Sequence, residues 1–184
     1  MTGWRQFLAQ HLRAPRGVRA SASPAATPQT VTAHVRAEGW SGLRSIRIRD
    51  FQLLSDSGPE CAGFHVGPTS PELQLGALGS CLTDTFLSQA AERGVVLESV
   101  EVEIIGALDP CTDTLDNGYL SLCPRDISYT AHLCSPASAD EIEALHAAVE
   151  RVCPVLNLLV QPQSVRGSIV LEVGSPSDPA ASRN

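Results

Sequence analysis

A chain of 184 residues with 43% hydrophobic content can bury one core, and its length suits a single domain. A formal charge of −7 argues against a nucleic-acid partner, which needs a basic surface. No apolar run reaches the length that spans a bilayer, so no membrane partner is expected. The six cysteines, Cys61, Cys81, Cys111, Cys123, Cys134 and Cys153, belong to a chain large enough to fold without staples and lacking an apolar signal core at its N-terminus. Reduced thiols in a cytoplasmic protein are therefore expected rather than a disulfide framework.

Residues 1–37 contain no Asp or Glu but include Arg5, Arg13, Arg16, Arg19 and Arg36. With Trp4, Phe7, Leu8 and Leu12 at helical spacing and "ASASPAATP" following, the profile suits an organellar transit peptide. It suits a floppy bacterial leader equally, and we read residues 1–28 as such an arm, expected to be disordered. From Gln29 the pattern changes. Val31, Ala33 and Val35 alternate, as do Ile46 and Ile48, with Gly39 and Gly42 between them, which predicts a β-hairpin with an irregular turn. "SDSGPECAGFHVGP" is loop by its Gly, Pro and Ser content.

The next stretch, "TSPELQLGALGSCLTDTFLSQAAERG", predicts a long helix. Thr69 and Glu72 have capping-box spacing, Pro71 suits a first turn and Gly94 suits the end. Leu78, Cys81, Leu82, Thr85, Phe86 and Gln89 share a face at spacings of three and four, so Cys81 should be at least partly buried. "ESVEVEIIGAL" alternates as a strand, "DPCTDTLDNGY" is turn-rich, and "DISYTAHL" returns to strand. Ser138 and Glu141 open a second helix with another capping box. Ile142, Leu145, Val149 and Val152 form its apolar stripe, and Pro154 stops or kinks it at Cys153. "SVRGSIVLEV" predicts a last strand, and residues 174–184 a disordered tail. The order of elements is α+β, with one domain over residues 29–173.

Chemistry could reside in several places. Cys81 lies on one helix's apolar stripe and Cys153 at the other helix's end, 72 residues apart in sequence; both are equally readable as inert packing residues. Cys111, Cys123, Cys134 and His132 lack the C-x-x-C spacing usual in structural zinc sites. "GPTSPE" lacks the glycines and lysine of a phosphate loop. Arg44, Arg47 and Arg49 suit a solvated strand face, although an arginine near the hairpin turn could reach a buried thiolate.

"GPTSPELQLGALGSC" opening a long helix, then "VEVEI", then "ERVCPVLNLL", together resemble the OsmC/Ohr family of thiol-dependent hydroperoxide reductases. The resemblance covers residues 29–173. It rests on Pro71-Glu72-Leu73 with a cysteine nine residues after the glutamate, and on Cys153-Pro154-Val155 at the end of a later helix. It implies an OsmC-like α+β fold, with antiparallel β-sheets wrapped around two long central helices in an intertwined homodimer and each active site at the subunit interface. By match of motif, Cys81 takes the place of the peroxidatic cysteine and Cys153 that of the resolving cysteine. The family also uses an arginine from the N-terminal hairpin and a glutamate at the start of the cysteine helix. Arg44 is preferred to Arg36 for the first role, and Glu72 matches the second. Glu72 lies nine residues before Cys81, as in the broader OsmC-like branch, whereas the best-known peroxidases carry it ten before. One residue is about 100° of helix.

The function so implied is reduction of organic, including fatty-acid, hydroperoxides to alcohols through a Cys81 sulfenic acid and a Cys81–Cys153 disulfide. The chain carries no C-x-x-C pair, so an external dithiol or a lipoylated protein would be the reductant, with no cofactor or metal. The alternative is a non-enzymatic OsmC-like domain with a ligand groove at the dimer interface. A buried cysteine that reacts needs a nearby cation, because burial alone raises its pKa and only the thiolate attacks.

Overall fold

The computed structural model describes residues 29–171 except 38, 40, 41, 60–62 and 109–123. The expected arm and tail, and Cys61, Cys111 and Cys123, lie outside the described residues.

Three short strands come first: β1 (Ala33–Ala37), β2 (Arg44–Ile48) and β3 (Phe51–Ser55), antiparallel and in that order. The expected hairpin thus gains a third strand. Val35 pairs with Ile46 and Ile46 with Leu53, while Ala33, Ile48 and Phe51 align next to them. Side chains alternate across a strand, so these residues form one apolar face, and Arg44 and Ser55 lie on it. The opposite face carries His34, Arg47 and Gln52 in one row and Arg36, Ser45 and Leu54 in the next. Arg36 and Arg44 therefore point to opposite sides of the sheet. The apolar face is open within one chain, with Val35 59%, Phe51 65% and Leu53 44% exposed. The sheet makes no extensive contact with the helices of its own chain.

The loop after β3 is ordered by Asp56, which is fully buried. Its carboxylate accepts the backbone N–H groups of Ser57, Phe64 and Val66 at 2.8, 2.9 and 3.2 Å. Burial raises its pKa, but those three donors and the Arg44 guanidinium outweigh it, so the net shift is downward. Gly63 is required here, since a Cβ would overlap the Ser57 carbonyl.

Helix α1 (Ser70–Arg93) begins and ends as its sequence predicts. Thr69 and Glu72 close a capping box, and Gly94 takes the left-handed conformation at φ 70°. Its buried side is Leu78, Leu82, Thr85, Phe86 and Ala90. That side packs on an antiparallel pair, β4 (Ser99–Ala107) and β5 (Arg125–Cys134), whose inward residues include Val100, Val102, Ile104, Tyr129, Ala131 and Leu133. Gly79 lets the helix settle on the sheet: a Cβ there would stand 3.2 Å from Ile104 Cγ1.

Helix α2 (Ala139–Val152) opens on the second capping box, Ser138 with Glu141, and buries Leu145, Ala148 and Val149. Val152, expected on the apolar stripe, is 44% exposed. Pro154 ends α2 at Cys153 as expected, but the chain continues directly into a short helix, α3 (Pro154–Val160). Cys153 caps the end of one helix and the start of the next.

Among the described residues, the expected last strand does not form within one chain. Residues 162–171 belong to no ladder, and Val165, Ile169, Val170 and Leu171 are 84–95% exposed. Alternation marks a segment able to pair, yet a strand exists only with a partner edge. Among the described residues no helix is long and apolar enough to cross a membrane.

Candidate active site

The core closes on the two cysteines. Leu78, Leu82, Phe86, Leu145, Val149 and Cys153 form one buried cluster, with Cys81 packed against it. Cys153 is fully buried and Cys81 partly so, and both are free thiols. Their sulfurs stand 3.5 Å apart, with Cys153 Sγ donating to Cys81 Sγ. A disulfide needs about 2.05 Å, so the two sulfurs must still approach each other to bond. Spacing in sequence gives no reason for this meeting. Packing of α1 on α2 and α3 produces it.

Burial is the largest influence on the Cys81 thiol and raises its pKa. The Val155 backbone N–H lowers it, hydrogen bonding and charge coupling to Cys153 raise it, and Thr85 lowers it; the balance is upward. The Val155 amide is free to do so because it lies in the first turn of α3, where backbone N–H groups have no acceptor within the helix. The Cys-Pro-Val motif thus serves the other cysteine's sulfur. No guanidinium is among the described groups acting on Cys81.

Arg44 is placed elsewhere in its own chain. Its guanidinium donates to Ser55 Oγ at 3.3 Å and Ser57 Oγ at 3.4 Å, beside Asp56. Glu72 is held by Thr69, whose backbone N–H donates to Glu72 Oε2 at 2.7 Å. Backbone and side-chain hydrogen bonds from Thr69 lower its pKa, against a smaller opposing effect of burial and with slight help from His65. Within one chain, therefore, two of the four expected site residues meet and two do not.

A third feature was not expected. Tyr129 Oη lies 2.6 Å from His146 Nε2 and donates to Glu150 Oε1 at 3.0 Å, tying β5 to α2. His146 also stacks against Phe86 with ring centroids 6.2 Å apart. Burial, then Glu150, then Cys153 raise the Tyr129 pKa, so the phenol keeps its proton. His146, Glu150 and Cys153 recur at spacings of four and three, a signal present in the sequence. Cys134, in contrast, is exposed and donates to Glu98 Oε2 at 3.2 Å, a bond that raises its pKa and keeps it a thiol.

The model of the family described as OsmC-like protein matches residues 63–166. An OsmC-like protein from Mycoplasma pneumoniae is similar in fold, with a TM-score of 0.57 at 20% identity over 73% of this chain and 89% of that one. An organic hydroperoxide resistance protein OsmC from Legionella pneumophila gives 0.52 at 19% over 72% and 90%. An organic hydroperoxide resistance protein from Vibrio cholerae, with captopril bound in one of its active sites, gives 0.52 at 18% over 74% and 88%. No curated protein matches in sequence.

Proposed function

The chain belongs to the OsmC-like protein family, and from that premise we propose that it is a thiol-dependent peroxidase acting on organic hydroperoxides. The observation that carries this reading is the 3.5 Å approach of Cys81 and Cys153, from separate helices, inside an apolar core. Cys81 as thiolate attacks the peroxide O–O bond. The sulfur takes one oxygen as sulfenic acid, and the other leaves as an alkoxide that gains a proton to become the alcohol. The Cys153 thiol then attacks that sulfur, forming the disulfide and releasing water. An external dithiol reopens the disulfide by exchange and is itself oxidised.

Attack by Cys81 requires a cation, and none of the described groups of its own chain supplies one. A homodimer would supply one. The open apolar face of β1–β3 and the unpaired apolar segment 162–171 are surfaces that a second copy could cover. Arg44 stands on that apolar face and Arg36 on the other, which favours Arg44 as the cation, with Glu72 as the carboxylate that orients it. An apolar surround suits alkyl or fatty-acid hydroperoxides, since burying the chain is favourable.

The test is a pulse of cumene hydroperoxide on reduced protein. Loss of two thiols per chain, one mole of cumyl alcohol per mole and a Cys81–Cys153 peptide by mass spectrometry are expected. The raised pKa of Cys81 favours the second reading, a domain that binds without turnover. Unchanged thiols and no alcohol would select it.

A further inference from the structure

The polar face of the N-terminal sheet carries a feature that the thiol chemistry does not use. A cleft of about 340 Å³ opens at the start of β1, lined among others by Thr30, Thr32, His34, Arg47 and Arg49. His34 and Arg47 are directly paired across β1 and β2. No carboxylate is among the described residues that line the cleft, and neither arginine is ion-paired with a described carboxylate. Two arginines, a histidine and two threonines thus line it, and every one of these side chains can donate a hydrogen bond.

Charge distribution along the chain points the same way. Eight of the thirteen cationic residues, all arginine, fall in residues 1–49, together with only one of the twenty acidic residues, Glu38. An acidic protein has thus gathered most of its positive charge toward one end of its sequence, a bias that suits an anionic partner.

The backbone at Arg49 adds a third observation. It occupies the turn between β2 and β3 with φ 54°, a left-handed conformation in which glycine is the relaxed choice. Arg49 lines the cleft from this turn, and its guanidinium stands 5.7 Å from the centroid of the Phe51 ring at the sheet's end. Strain retained at a position where a smaller residue would relieve it is a reason to look for function.

We propose that this cleft binds a small organic oxyanion, a phosphate or carboxylate, through the forked donors of Arg47 and Arg49, with His34, Thr30 and Thr32 completing its shell. Guanidinium groups bind both oxyanions in bidentate fashion, and the volume suits a small molecule rather than a chain. The site is on the face opposite Arg44 and stands independently of the Cys81–Cys153 chemistry.

The test is titration of the full-length ¹⁵N-labelled protein with inorganic phosphate and, separately, octanoate, at ionic strength matched with chloride. Saturable shifts at the amides of Thr30, Thr32, His34, Arg47 and Arg49 are expected with one or both probes. Arg47→Ala and Arg49→Gly should each weaken binding about tenfold, while Arg93→Ala, at the end of α1, should leave it unchanged. Arg49→Gly is the informative variant, because glycine relaxes the turn: its melting temperature should hold or rise while affinity falls. Wild-type affinity in both cleft variants, or shifts that follow chloride equally, would overturn the proposal. So would capture only by vesicles of phosphatidylcholine with phosphatidylglycerol and no response to the soluble probes, which would indicate a membrane surface instead.

Discussion

Cys153 reaches Cys81 across 3.5 Å from a position where one helix ends and another begins. The kink is made by Pro154, and the amide of Val155, in the first turn of the helix that follows, acts on the Cys81 sulfur. The break at Pro154 therefore places both the Cys153 thiol and the Val155 amide beside Cys81. Substituting Pro154 by Ala would let α2 run on, and it should slow disulfide closure while leaving the first peroxide attack measurable. Stopped-flow fluorescence with peroxide, paired with sulfenic-acid trapping, would separate the two steps.

The two cysteines should fail differently when replaced. Cys81→Ser should be inert to peroxide. Cys153→Ser should react once, accumulate the sulfenic acid and pass to the irreversible sulfinic form under excess peroxide. Mass spectrometry after a peroxide pulse reads both. A peroxide-induced disulfide in Cys81→Ser, through Cys61, Cys111, Cys123 or Cys134, would reverse the roles proposed above.

Arg44 and Arg36 are distinguished by the face of the sheet on which each stands. A cation beside Cys81 favours the thiolate and lowers its pKa, so Arg44→Ala should move the midpoint of alkylation upward and slow alkylation at neutral pH several-fold. Arg36→Ala should leave both unchanged. If the two variants behave alike, the facing argument fails.

Sedimentation should show a dimer at micromolar concentration. Leu53→Asp, on the open apolar face, should shift it toward monomer, because a charge buried there has no partner. Glu101→Lys, on the exposed side of β4, should not. A native monomer in the wild type would remove the interface from the proposed site.

The capping boxes make acid stability predictable. Hydrogen bonds from Thr69 hold the Glu72 carboxyl below the usual glutamate value of 4.5, and Ser138 does the same for Glu141. A folded-state pKa that is depressed gives stability that is complete above the unfolded value and is lost as pH falls through the folded one. Urea midpoints of the wild type should therefore drop below pH 4.5, and Glu72→Gln with Glu141→Gln should flatten that drop. Thr69→Ala should cost about 1 kcal/mol at neutral pH, the usual worth of an N-cap. Activity retained in Thr69→Ala but lost in Glu72→Gln would show that Glu72 does more than cap its helix.

Local signals determine the two long helices and the β4 and β5 strands. Capping boxes, Gly94, Pro154 and alternation act over a few residues, and the partners within each capping box are chain neighbours. The apolar stripe likewise tells which side of α1 carries Cys81 inward. Tertiary packing alone decides that Cys81 meets Cys153, that Tyr129 links His146 and Glu150, and that Arg36 and Arg44 part company across a sheet. Those facts depend on register and helix docking between segments distant in sequence, which no local pattern encodes. Residues 162–171 show the limit most plainly: their alternation predicts a strand, yet hydrogen bonds to a neighbouring edge make one, and their own chain offers none among the described residues.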